Sequence, residues 1–90
     1  MPESGAFTLV AVRLDEPAWE GLEEDAEAIL AQWSVVPGDR VGEGQEMGVA
    51  ELVKASVPVV APVAGRVAEL PVAAGESFGR HAVLARIETP

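Results

Sequence analysis

The stretch "VAELVKASVPVVAPVAG", Val49 to Gly65, decides how this chain reads. Two short runs rich in β-forming residues meet there at a polar tip, and Lys54 stands at the tip. No other lysine occurs in the 90 residues, and the remaining cations are Arg13, Arg40, Arg66, Arg80 and Arg86. A single primary amine, placed where two apolar runs turn, is an address for covalent modification.

The rest of the composition frames that address. Ninety residues give one domain, 1–90, with no room for a second core. A chain of this size buries roughly 60–65% of its extended surface on folding. A hydrophobic content of 49% argues for a folded chain. Much of it is Val and Ala, with Phe7, Trp19, Trp33 and Phe78 as the aromatics, so many short strands are expected rather than long helices. The net charge of −9 speaks against nucleic acid and anionic membrane as partners, because both need clustered Lys and Arg. A basic patch on a protein partner would be attracted. Without cysteine there are no disulfides and no thiolate metal sites. The first residues lack a basic region before their short apolar run, and no apolar segment is long enough to span a bilayer. Together these features read as a cytoplasmic protein.

Outward from the central stretch, Met1 to Ala6 is expected to fray, and Phe7 to Leu14 reads as a strand approaching an edge at Arg13. An acidic segment, 15–27, follows, with Trp19 expected as a lid on the core and a folded core over about 7–88. Leu22, Ala26, Ile29 or Leu30, and Trp33 fall at helical spacing, and Pro17 suits a first helical turn. Ala28 to Val36 also reads as a strand feeding the Pro37-Gly38-Asp39 turn. The favoured reading is a loop with room for one helical turn, then a strand from about Glu27 to Val35. The acids are either a docking face for a basic partner or a solvated loop, and solvated surface is the commoner fate of charge runs.

From Leu30 onward the chain repeats itself with an offset of 37 residues. Val35 to Gly42 matches Val72 to Gly79, Met47 to Glu51 matches Leu84 to Glu88, and Leu30, Ala31 and Trp33 match Val67, Ala68 and Leu70. Gly38 and Gly75 are placed to supply the positive φ of tight turns. The expected fold is all-β, a flattened barrel or sandwich of two similar four-stranded half-sheets with pseudo-two-fold symmetry. In that symmetry the position matching the Lys54 tip is the end of the chain.

These pieces, "VVPGDRVGEGQ", "VAELVKASVPVVAPVAGRV" and "VAAGESFGRHAVLARIE", resemble the biotinyl/lipoyl attachment domain family over about Ala28 to Ile87. They look most like lipoyl domains of 2-oxo acid dehydrogenase complexes, of a small stand-alone type. The family's modified lysine falls where Lys54 stands, with Glu at the position of Glu51 and Ala at that of Ala55. Lipoyl domains of the acyltransferase type usually carry Asp before the lysine, where this chain has Val53; "ELVKAS" looks instead like the attachment sequence of glycine-cleavage H proteins. Biotinyl domains flank the lysine with methionines, which Val53 and Ala55 replace here.

The resemblance implies a carrier without its own active site. Its Lys54-linked lipoyl swinging arm would move acyl groups and electrons within a 2-oxo acid or acetoin-type dehydrogenase complex. Glu51, Val53 and Ala55 are the recognition candidates around the tip. Implied partners are a lipoate ligase or lipoyl transferase, a thiamine-diphosphate decarboxylase, an acyltransferase and a dihydrolipoyl dehydrogenase. Alternatives are a biotin carrier of a carboxylase or decarboxylase, an unmodified lipoyl-like interaction module, and a fragment of a longer acyltransferase. His81, the only histidine, has no Ser, Cys or acid partner by spacing and reads as loop surface. Ser34, Ser56 and Ser77 lack a nucleophile-elbow context, and the glycines at 38, 42, 44 and 48 suit hairpins rather than a phosphate cradle.

Overall fold

Valine-rich runs broken by Gly-acid turns build eight short strands. The computed structural model describes residues 8–89 and assembles them into two antiparallel four-stranded sheets. The strands are β1 (Thr8–Val12), β2 (Glu27–Trp33), β3 (Arg40–Val41), β4 (Glu46–Glu51), β5 (Ser56–Val60), β6 (Gly65–Glu69), β7 (Ser77–Gly79) and β8 (Ala85–Thr89). One sheet runs β1-β8-β6-β3 and the other β5-β4-β2-β7. The expectation for Met1 to Phe7 lies outside the described residues.

The 37-residue offset is structural. It carries β2 onto β6, β3 onto β7 and β4 onto β8, so each sheet is the other's image with β1 standing for β5. Hydrogen bonds repeat with it. The Gly38 amide donates to the Val67 carbonyl (2.7 Å) and the Val67 amide to the Asp39 carbonyl (2.8 Å). In the other half the Gly75 amide donates to the Leu30 carbonyl (2.6 Å) and the Leu30 amide to the Glu76 carbonyl (2.9 Å). Each turn thus closes onto the strand of the opposite half, which locks the two sheets together. Gly38 (φ 99°) and Gly75 (φ 91°) take the left-handed backbone that these turns require. The following acid satisfies the turn's own amide: Asp39 Oδ2 accepts from Val36 N–H at 3.0 Å, and Glu76 Oε1 from Ala73 N–H at 2.8 Å. Bulges also match, between Leu30 and Gln32 in β2 and between Val67 and Glu69 in β6.

Between the sheets lies one apolar cluster whose members pair by the same offset. Leu30 with Val67, Met47 with Leu84 and Ala50 with Ile87 are all fully buried. Removing such side chains from water supplies most of the driving force for closing the sandwich, about 25 cal/mol per Å² of apolar surface.

The acidic segment departs from strand geometry only briefly. Glu16–Trp19 forms a four-residue helix, α1, with Pro17 in its first turn. Gly21, at φ 82°, prevents a continuation. Beyond it the helical spacing gives way to period two: Ala28 and Leu30 are buried, whereas Ile29 between them is 48% exposed. The strand reading from Glu27 therefore prevails over the helical one. Trp19 is buried against the core, as a lid would be.

Candidate functional site: the β4–β5 tip

Strand β4 ends at Glu51, which pairs with Ser56 on β5 and, on its other side, with Ile29 on β2. The next residue, Leu52, is buried and roots the turn in the core. Its amide donates to the Ala55 carbonyl at 2.9 Å, so only Val53 and Lys54 stand outside the ladder. Pro58 lies on β5, an edge strand, where its missing N–H leaves the ladder intact. Val53 is 86% exposed; it does not fold over the neighbouring strand. Glu51, Lys54, Ala55 and Ser56 are exposed as well. The residues singled out in the sequence are thus brought together on one tip, supported by rigid strands on both sides.

The sequence did not announce the tip's neighbour. The Lys54 Nζ donates to the backbone carbonyl of Glu20 at 2.5 Å. Glu20 follows α1 in the connection between β1 and β2, and the Ile29–Glu51 register brings this connection to the tip end of the sheet. The connection is held from a third direction by Arg80, in the turn after β7. Arg80 Nη2 donates to the Glu23 carbonyl (3.0 Å) and reaches the Leu22 carbonyl (3.4 Å), while Nη1 lies 3.6 Å from Glu16 Oε1. The guanidinium sits 5.5 Å from the centre of the Trp19 ring, and Trp19 meets Phe78 edge-on at 6.1 Å. Among the described residues, Trp19 Nε1 and Arg80 Nε are the buried side-chain polar atoms without a hydrogen-bond partner. The available signal for Arg80 was the repeat itself: 37 residues earlier the matching position is Glu43, a reversal of charge.

His81 is exposed, and its carbonyl accepts from Arg13 Nε at 3.3 Å. Among the described residues no cluster of His, Cys, Asp and Glu could hold a metal ion, and no helix is long and apolar enough to cross a membrane. Chemically, the site presents one accessible primary amine at a fixed place. The amine is engaged by a single exposed hydrogen bond, so an amide-linked group fits it without displacing buried structure.

The sequence family described as "Biotin-requiring enzyme", the biotin/lipoyl family, matches residues 20–87. The fold is similar to the solution structure of the lipoyl domain of the 2-oxoglutarate dehydrogenase complex from Azotobacter vinelandii. That likeness has a TM-score of 0.66 at 23% identity and covers 86% of this chain and 95% of the other. No curated protein matches significantly. With the match spanning both repeats and the tip between them, the chain belongs to the biotinyl/lipoyl attachment family.

Proposed function

We propose that this chain is a lipoyl carrier, with lipoate joined through an amide to Lys54 Nζ, serving a 2-oxo acid or acetoin-type dehydrogenase complex. The observation that carries the reading is the position of the chain's one lysine, exposed at the end of the β4–β5 hairpin and held by paired strands. Family membership supports a carrier, and the likeness to a 2-oxoglutarate dehydrogenase lipoyl domain favours lipoate over biotin. The absence of flanking methionines at Val53 and Ala55 favours it too.

In this reading the protein's contribution is positional. Strands β4 and β5 hold the amine at one place, Leu52 keeps the tip from folding back, and Glu51, Val53 and Ala55 form the surface a lipoate ligase or lipoyl transferase reads. The attached group supplies acyl and electron carriage, and the tether raises its effective concentration at each partner active site. The partners are the decarboxylase, acyltransferase and dihydrolipoyl dehydrogenase of such a complex, and the carrier needs no catalytic site of its own. Intact mass after co-expression with lipoate ligase and with biotin ligase tests the assignment. A lipoyl adduct on the wild type that Lys54→Arg abolishes is expected. A biotin adduct alone, or no adduct with both ligases active, would overturn it.

A further inference from the structure

We infer that Arg80 is a positioning residue for Lys54: it fixes the connection between β1 and β2 against the tip and so holds the lysine amine on the Glu20 carbonyl. The inference rests on the reading of Lys54 as the attachment residue. Residues 13–26 contain no strand, and their acids at 15, 16, 20, 23, 24 and 25 are all exposed. Such a segment repels itself and gains nothing from sheet pairing. Trp19 anchors its middle in the core. Arg80 clasps it on both sides of Glu20, at Glu16 and Trp19 before it and at Leu22 and Glu23 after it. Its side chain is only 14% exposed, and its bond to the Leu22 carbonyl is part-buried, whereas the Glu16 carboxylate and the bond to Glu23 stay open to water. A planar guanidinium with five N–H groups can serve two carbonyls, a carboxylate and an aromatic face at once, which no other side chain can.

The place of Glu20, and with it the acceptor for Lys54 Nζ, is therefore set by a residue 26 positions beyond the lysine and on another hairpin. The pseudo-symmetry supplies a control within the molecule. The matching connection in the other half is only 61–64, and the matching residue is Glu43. A cation stands at this position only in the half that has a long acidic segment to hold.

The test uses the single lysine. Unmodified protein is treated with limiting N-hydroxysuccinimidyl acetate, and acetylation is read on the peptide that contains Lys54. In Arg80→Gln, and in Arg80→Met, which keeps an apolar stem over Trp19, Lys54 should label about threefold to tenfold faster, the range one exposed hydrogen bond supports. Amide exchange over 19–24 should rise in parallel, while exchange in β4 and β5 stays unchanged. Gly21→Ala strains the φ 82° backbone beside Glu20 from the segment's own side and should raise Lys54 labelling likewise. Equal labelling and equal exchange in wild type and a folded Arg80→Gln would overturn the inference. Should that variant not fold, unchanged labelling and exchange in a folded Arg80→Met would overturn it. A wild type that lipoate ligase leaves unmodified would defeat the attachment reading instead, because the acetylation measurement needs no ligase.

Discussion

The two halves of this molecule differ where the repeat is broken, at one end. In the half built on β2 and β4, the outermost pair β4–β5 is a continuous hairpin that carries Lys54. In the half built on β6 and β8, the matching pair β8–β1 is made from the two ends of the described chain. The connection entering β2 at the tip runs through residues 13–26, and the matching one entering β6 is only 61–64. Between them the Gly-acid turns, the bulges of β2 and β6 and the paired core residues are duplicated. The duplicated part is scaffold, and what is present once is the lysine, the acidic segment and the arginine that clasps it.

The comparison can be broken most severely at Trp19. Trp19→Ala removes the anchor of the unduplicated segment and should lower stability by about 3–5 kcal/mol in urea unfolding, with exchange rising first over 13–26. A smaller break lies at Gly65, whose match by the offset is Ala28. A Cβ at Gly65 would press on the Glu88 carbonyl and the Ile87 side chain, whereas β2 already buries a methyl at the corresponding place. Gly65→Ala should therefore cost about 1–3 kcal/mol by the same assay. The duplicated turns sharpen the comparison through equality: Gly38→Ala and Gly75→Ala should each cost about 1–2 kcal/mol, and unequal losses would show that the halves do not share load alike. Val53→Asp should change stability by less than about 0.5 kcal/mol, because that side chain is 86% exposed; any effect should appear in the rate of the modification proposed for Lys54.

The duplicated part was legible in the sequence because its signals are local and occur twice. Gly38 and Gly75 each precede an acid, then a polar residue, an apolar residue and a glycine, and no packing information was needed to read turns there. Lys54 was legible because it is unique and lies between two valine-rich runs. The stretch from Leu22 to Trp33 was ambiguous because Leu22, Ala26 and Trp33 satisfy a helical period while Ala28 and Leu30 satisfy a strand period. The positive φ at Gly21 and pairing of β2 with both β4 and β7 decide it, and only tertiary structure supplies the second. The Lys54–Glu20 and Arg80–Glu23 contacts join residues 34 and 57 positions apart, and the acceptors are backbone carbonyls that every residue possesses. Such contacts leave no mark in residue identity at the accepting end.

Thr8 and Thr89 face each other across the β1–β8 ladder, about 5 Å apart in an antiparallel pair. A short linker joining them in place of residues 1–7 and 90 would close the backbone into a ring with a hairpin at the matching place in each half. The ring could then be cut at either one. Cut between Thr89 and Thr8, it restores the natural order; cut between Val53 and Lys54, it gives a circular permutant with the same two sheets and the lysine on a free end. Such a permutant should fold, yet it would present its amine on a loose strand terminus. Comparing its modification with that of the natural order would separate what an enzyme reads in the residues around Lys54 from what it reads in the closed loop that displays them.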